Sequence, residues 1–300
     1  LAMRIGIIGA GAVGGLFAAR LVESGAAVAV VARGETLKRI NGEGLTLIHG
    51  GEERTVQVPA AESFDELGGV DVAVLATKVL PDQEKFPGVP EGAPVVLTQN
   101  SVEVPHLAAD AFGAGRVWPG VVRGFMIHRG PGVVELADGP LNYHVGTFDG
   151  APDERVDELA RLLTAAGVPT EVYRDIWVDV WTKAMFVTPF GALGAAAGRP
   201  LGYVRTELRD QYTALLEEAA RVAWASGVDL PDDTVARQLE FADSLDAEAT
   251  TSMQRDYLAG RVNELDSQAG AVRRLGERYK EPPPLFDQLQ GILEARFGRD

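Results

Sequence analysis

Apolar positions along the 300-residue chain fall into two regimes. Up to about residue 175 they form short continuous runs parted by glycine and polar turns. Beyond it they recur every three or four residues. Residues 4–8 (RIGII) open the first regime, a helical pattern follows to Gly25, and residues 28–32 form a second run that ends on Arg33. Residues 70–77 (VDVAVLAT) run to Lys78, and residues 93–99 (APVVLTQ) run to Asn100. Continuous rather than alternating runs suit parallel strands covered on both faces. Residues 116–122 and 132–146 read as further strands with glycine turns. A helix over 153–166 and a strand over 170–173 complete the unit at Asp175. The helical regime includes an amphipathic helix over 207–226, with Leu208, Tyr212, Leu215, Leu216, Ala219 and Val222 on its apolar face. Gly227 and Pro231 end it and start the next helix. Two more helices are predicted over 246–257 and 261–279 around Gly260. Pro282-Pro283-Pro284 is a stop, followed by a terminal helix to Phe297.

The turn after the first strand carries chemistry. It reads Gly9-Ala10-Gly11-Ala12-Val13-Gly14. In a strand–turn–helix unit the first glycine permits the tight turn. The second lets backbone approach a pyrophosphate, and the third lets the helix pack close to the strand. The phosphates then sit on the helix N-terminus, where unpaired N–H groups and the macrodipole favour anions. Glycines alone mark ordinary turns too, so the sequence strand, glycines, helix, second strand carries the reading. It predicts an α/β fold: a Rossmann-type doubly wound sheet over 1–175 and an all-helical domain over 176–300. The end of the second strand selects the cofactor. An acid there suits the ribose hydroxyl of NAD, and an arginine suits the 2′-phosphate of NADP. The position holds Arg33, with Glu35 two residues further on, so NADPH is expected. Lys38 and Arg39 fit either a supporting positive field or, more simply, the solvated face of a short helix.

Composition narrows the partners. A formal charge of −15 argues against nucleic acid, whose backbone needs a basic surface. It does not exclude a small anion held by local dipoles and a few cations. The chain has no cysteine, hence no disulfide or thiolate metal site, and its four histidines show no metal-ligand spacing. No apolar run is long enough for a bilayer, and the opening strand does not resemble a secretory leader. Leu1-Ala2 before Met3 are set aside. A cytoplasmic protein with no membrane partner is expected. Oligomeric state is not legible, and a homodimer stays open.

Polar residues end three of the first-half runs: Arg33, Lys78 and Asn100. Each could be a loop residue facing water, but ligands of open parallel sheets bind at strand C-termini. In Trp181-Thr182-Lys183-Ala184-Met185-Phe186 one lysine stands in an apolar helix. Burial would lower its pKa toward the range of a general acid. The alternative is a lysine that snorkels outward along its own methylenes. Ser252 and Glu264 flank Gly260, with Asp256 and Asp266 nearby; acids on helix faces are usually solvated.

Together these segments resemble the ketopantoate reductase (2-dehydropantoate 2-reductase) family over nearly the whole chain. The matches are residues 9–15 (GAGAVGG), Ala76-Thr77-Lys78, Thr98-Gln99-Asn100, residues 130–134 (GPGVV) and Trp181-Thr182-Lys183. Ser252-Met253-Gln254-Arg255-Asp256 is the most specific late match, with Gly260-Arg261 and Asn263-Glu264-Leu265-Asp266 following. The resemblance implies a helical second domain like the C-terminal domain of 6-phosphogluconate dehydrogenase. It also implies NADPH and reduction of a small 2-keto acid, in the first instance 2-dehydropantoate to pantoate. By position, Lys183 would polarise the keto oxygen and donate its proton, and Asn100 would orient the site beside the nicotinamide. Glu264 would bind a substrate hydroxyl, Ser252 the substrate carboxylate, and Lys78 the cofactor end.

The chain departs from the family at three asparagines, replaced by Val187 and Gly191 at substrate-contacting positions and by Ala269 later. Pro189 lies between the first two and is expected to interrupt or kink the helix. Lost amides predict a less polar, roomier site. The substrate could therefore be pantoate's precursor or a less polar carbonyl compound of specialised metabolism. A 3-hydroxy acid or imine reductase is disfavoured by the residues 263–266 match. A non-catalytic NADPH-binding sensor is disfavoured by the joint presence of Lys183, Asn100 and Glu264.

Overall fold

A computed structural model describes residues 2–79 and 86–297. These form two compact units. The first comprises 2–78, 86–99 and 105–176, and the second 79, 100–104 and 177–297. A single boundary at 175/176 gives Asn100 and its neighbours to the first unit; the packing groups residues 100–104 with the helices.

In the first unit a six-stranded sheet runs in the order Ala60–Ala61, Ala27–Val31, Arg4–Ile8, Val72–Leu75, Val95–Leu97, Val117–Trp118. Every pair is parallel, with Ile5 opposite both Val28 and Val72. Ile5, Ile7, Val30, Val74 and Val96 are fully or almost fully buried, as the continuous apolar runs require. The chain leaves Arg4–Ile8 toward one edge and returns to its other side at Val72–Leu75. The glycine turn therefore sits at the topological switch point.

The expected strand over 116–122 is two strands, Val117–Trp118 and Gly120–Arg123, which join different sheets. Pro119 parts them, having no N–H to give a ladder. Gly120–Arg123 pairs with Asn142–Val145 and, through it, Thr170–Val172. Leu45–His49, Glu52–Val56 and Met126–Gly130 are strands that the apolar runs do not predict. With Val133–Leu136 they form a four-stranded mixed sheet. It packs on the Ala12–Glu23 helix so closely that a Cβ at Gly15 would lie 2.6 Å from Val134 Cγ1. The Glu52–Val56 edge is charged and largely exposed, so it carries no apolar signal.

The second unit is helical. A 22-residue helix, Ile176–Ala197, continues through Pro189 without interruption. The missing N–H costs one ladder bond, but buried Met185 and Phe190 fix the helix on both sides. The amphipathic helix expected over 207–226 is Arg209–Ala225, and a separate short helix, Leu201–Thr206, precedes it. Thr234–Ser244 follows. The expected helix over 246–257 begins only at Ser252 and runs to Leu258, capped by Thr251 Oγ1 accepting from Gln254 N at 3.1 Å. The expected helix over 261–279 is a turn, a π-helical segment Asp266–Gly270, and an α-helix Ala271–Arg278. Among the described residues no helix is long and apolar enough to cross a membrane.

The terminal helix, Pro284–Arg296, is capped from another element. The Glu218 carboxylate, 2% exposed, accepts from Leu285 N at 2.9 Å and Phe286 N at 3.1 Å. It satisfies first-turn donors and complements the helix dipole. Glu218→Ala leaves the buried Phe286 N–H unpaired, at a cost of about 1–3 kcal/mol. A lower urea midpoint is expected, with Glu218→Gln intermediate. Equal midpoints for all three proteins would refute the capping role.

Candidate active site

In the first unit the glycine turn is shaped for backbone proximity. Gly9 has φ +91°, and a Cβ there would meet Thr77 Cγ2 at 2.7 Å. A Cβ at Gly14 would lie 1.9 Å from the Gly9 carbonyl oxygen. At Gly11 nothing lies within 4 Å of that position. The glycines thus divide their work: two admit tight packing, and the middle one faces open space. The Ala12–Glu23 helix begins here with no side-chain cap and no acid in its first turn. Ala10 is buried, while Ala12 and Val13 are half-buried at the helix start. Two buried oxygens beside the turn, Thr77 Oγ1 and Gln99 Oε1, have no hydrogen-bond partner. Gln99 Nε2 donates to Thr77 O at 2.9 Å, fixing both strand ends. Open space at Gly11, uncapped N–H groups and orphan acceptors fit a dinucleotide.

Arg33 follows the second strand as the extended N-cap residue of the Gly34–Gly42 helix, and it is exposed. Glu35 lies in that helix's first turn. Arg39 pairs with Glu43 and lays its stem on Gly132, while Lys38 is exposed. Lys78 is exposed three residues past Leu75.

In the second unit Lys183 and Asn100 are brought together. Lys183, half-buried on the Ile176–Ala197 helix, donates from Nζ to Asn100 Oδ1 at 2.6 Å. The residues are 83 positions apart in the chain. Asn100 starts a segment turned by Ser101, whose hydroxyl accepts from Glu103 N at 3.3 Å and Val104 N at 3.4 Å. Val187, one turn after Lys183, is half-buried. Phe186 meets Phe190 at 5.6 Å and Phe241 at 4.9 Å between ring centroids.

Gly191 does not open room as expected. A Cβ there would lie 2.6 Å from Thr251 Oγ1 and 3.1 Å from Met253 Cε. Thr251 fills the space, and the Ser252–Leu258 helix starts against the lysine helix. Ser252 itself is exposed. Glu264 is 7% exposed, not a solvated surface acid. Asn263 sets its turn, with Oδ1 accepting from Leu265 N at 3.1 Å and Nδ2 donating to Arg261 O at 3.2 Å. The π-helical segment follows directly, a geometry frequent at functional sites. Ala269 within it is 1% exposed, packed rather than lining free space.

One cluster had no clear sequence signal. Arg274 donates from Nε and Nη2 to Glu103 at 2.7–2.9 Å, and from Nη1 to Asp266 Oδ1 at 2.8 Å. Burial works against its charge, but hydrogen bonds from the guanidinium to Glu103 and Asp266 outweigh it and raise its pKa. The pairing of residues 103 and 274 is visible only in three dimensions. Among the described residues no group of acidic and imidazole side chains could hold a metal ion.

Comparison with known proteins bears on this site. The family model described as "Ketopantoate reductase PanE/ApbA" matches residues 5–150, and "Ketopantoate reductase PanE/ApbA C terminal" matches residues 175–296. A 2-dehydropantoate 2-reductase of Mesorhizobium japonicum is 32% identical, covering 97% of this chain and 97% of its own. The crystal structure of 2-dehydropantoate 2-reductase from Methylococcus capsulatus shares the fold with a TM-score of 0.91, at 24% identity and 99% coverage of both chains. A D-mandelate dehydrogenase solved with NADH and anilino(oxo)acetate shares it with a TM-score of 0.85, at 21% identity and 99% coverage of both chains.

Proposed function

Because this chain belongs to the ketopantoate reductase family, we propose that it reduces a 2-keto acid with NADPH, in the first instance 2-dehydropantoate to pantoate. The observation that carries the reading is the Lys183 Nζ–Asn100 Oδ1 contact of 2.6 Å. Negative charge builds on the keto oxygen as the carbonyl carbon is reduced. An ammonium held beside it by Asn100 stabilises that charge and then yields its proton to the oxygen. The nicotinamide, when bound, supplies the hydride. Buried Glu264 suits a substrate hydroxyl, and Ser252, at the start of its helix, suits the carboxylate. The Gly9–Gly14 turn would hold the pyrophosphate, with Lys78 serving the cofactor end.

Arg33 supports NADPH over NADH, since a guanidinium pairs with a 2′-phosphate and gains little from a ribose hydroxyl. Arg33→Ala is expected to weaken NADPH binding by about tenfold or more, the worth of a charge-assisted contact. NADH binding should change little. Fluorescence titration of both cofactors checks this, and equal losses would refute the assignment.

A second reading rests on Val187 and the Phe186, Phe190 and Phe241 rings: a less polar 2-keto acid. The D-mandelate dehydrogenase with the same fold was solved with anilino(oxo)acetate. NADPH oxidation with 2-dehydropantoate and with phenylglyoxylate decides between the readings by the ratio of kcat/KM. No turnover of any 2-keto acid, despite NADPH binding, would sink both and leave a sensor.

A further inference from the structure

We propose that Arg274 is a positioning residue that sets the geometry of the Lys183–Asn100 pair by clamping residue Glu103 to Asp266. The proposal rests on the reductase reading above and adds to it a residue that touches neither substrate nor cofactor.

The clamp joins two short segments, each carrying a residue of the proposed site. Glu103 lies three positions after Asn100, in the turn that Ser101 closes. Asp266 lies two positions after Glu264, at the first residue of the π-helical segment. Arg274 spans them with three bonds of 2.7–2.9 Å to the Glu103 carboxylate and one of 2.8 Å to Asp266 Oδ1. A further bond reaches Asp266 O at 3.2 Å. Gln290 Nε2 also donates to Asp266 Oδ1 at 3.2 Å, tying the clamp to the terminal helix. The Glu103 side chain is 13% exposed and that of Arg274 33%, so water screens the contact incompletely.

A planar fork is suited to this task. One guanidinium face engages Glu103 with two nitrogens while the remaining nitrogen reaches Asp266, a division that a lysine point charge cannot reproduce. Residues 100–104 form a short segment without regular secondary structure before Val104. Val102 and Val104 bury their side chains and hold the segment by apolar packing, which has no preferred direction; Glu103 adds the directed contact to the Ala271–Arg278 helix. Asn100 in turn accepts the bond from the Lys183 ammonium. A hydrogen bond to the charged form of a group favours that form, so a displaced Asn100 lets the Lys183 pKa fall.

The test uses the full chain with Arg274→Met, Glu103→Gln and the double variant. Two quantities are read. One is kcat against pH with a 2-keto acid that the unsubstituted protein reduces. The other is the titration of Lys183, followed by its competitive acetylation against pH and mass spectrometry. Arg274→Met is expected to lower kcat by about tenfold or more, given the steep dependence of rate on placement, with the NADPH Kd unchanged. In the double variant, which removes one charge of each sign and leaves no stranded Glu103 carboxylate, the thermal midpoint should recover, while the alkaline limb of kcat and the Lys183 titration should both move to lower pH. Recovery of kcat and of the Lys183 titration with the midpoint would assign the clamp to stability alone and overturn the proposal. The acetylation readout needs no turnover. A chain that reduced no 2-keto acid would therefore sink the functional reading, while an unmoved Lys183 titration would sink this one.

Discussion

Replacing Lys183 by alanine is expected to lower kcat on a 2-keto acid by about 10³-fold, within the range for loss of a positioned proton donor and charge stabiliser. The substitution should not unfold the helix that carries it. Alanine has the highest intrinsic helix propensity, and the packing of Ile176–Ala197 rests on Trp181, Met185 and Phe190 rather than on the half-buried lysine. NADPH binding should also persist, since the glycine turn and Arg33 belong to the first unit. Lys183→Arg separates the two roles of the side chain. A guanidinium keeps the positive charge but does not give up its proton near neutral pH. It should rescue little, and the residual rate should lack the alkaline limb that a titrating lysine produces. A loss of less than tenfold in Lys183→Ala, with the folded protein intact, would refute the assignment. An arginine variant as active as the unsubstituted protein would show that charge alone suffices.

What could be read from sequence follows from what is local. The glycine turn, the parallel strands around it and the uncapped helix start are short-range patterns, and all appear where the apolar runs place them. Lys183 was visible for the same reason, as one charge in an apolar helix. Sequence pattern says less where tertiary contact decides. The Leu45–Val56 hairpin has one charged edge strand, so its period-2 signal is buried under exposed Glu52, Glu53 and Arg54. Pro189 signals a break because local rules count one lost bond, whereas the helix continues past it between buried Met185 and Phe190. Gly191 looked like a vacancy because a sequence cannot show Thr251 arriving from sixty residues away. Glu264 looked like an ordinary surface acid until the Asn263 turn carried it inside. The Arg274 clamp required two segments far apart in the chain to meet, and no spacing rule anticipates that.

The glycines of the turn should fail in different ways when given a methyl group. Gly14→Ala places a Cβ 1.9 Å from the Gly9 carbonyl oxygen and 2.9 Å from Ala76 Cβ. The first neighbour is backbone and cannot rotate aside, so the strand and helix must separate. Overpacking of this kind costs about 1–3 kcal/mol or more, and the turn that would hold the pyrophosphate is lost with it. A lower thermal midpoint without cofactor, together with NADPH binding weakened by about 100-fold or more, is expected; the latter corresponds to about 2.7 kcal/mol. Gly11→Ala should behave in the opposite manner. Its backbone is extended, at φ −80° and ψ −155°, and no protein atom lies within 4 Å of the new Cβ. The fold accepts the methyl, and the smaller entropy of the unfolded chain adds up to about 0.4–1 kcal/mol of stability. The cost falls on the ligand, because the methyl enters the space where phosphate oxygens would meet the helix N–H groups. An unchanged or raised midpoint with NADPH binding weakened by about tenfold or more is the expected signature. If Gly11→Ala bound NADPH as tightly as the unsubstituted protein, the open space at residue 11 would not be the phosphate site. The cofactor half of the proposal would then fall independently of Lys183.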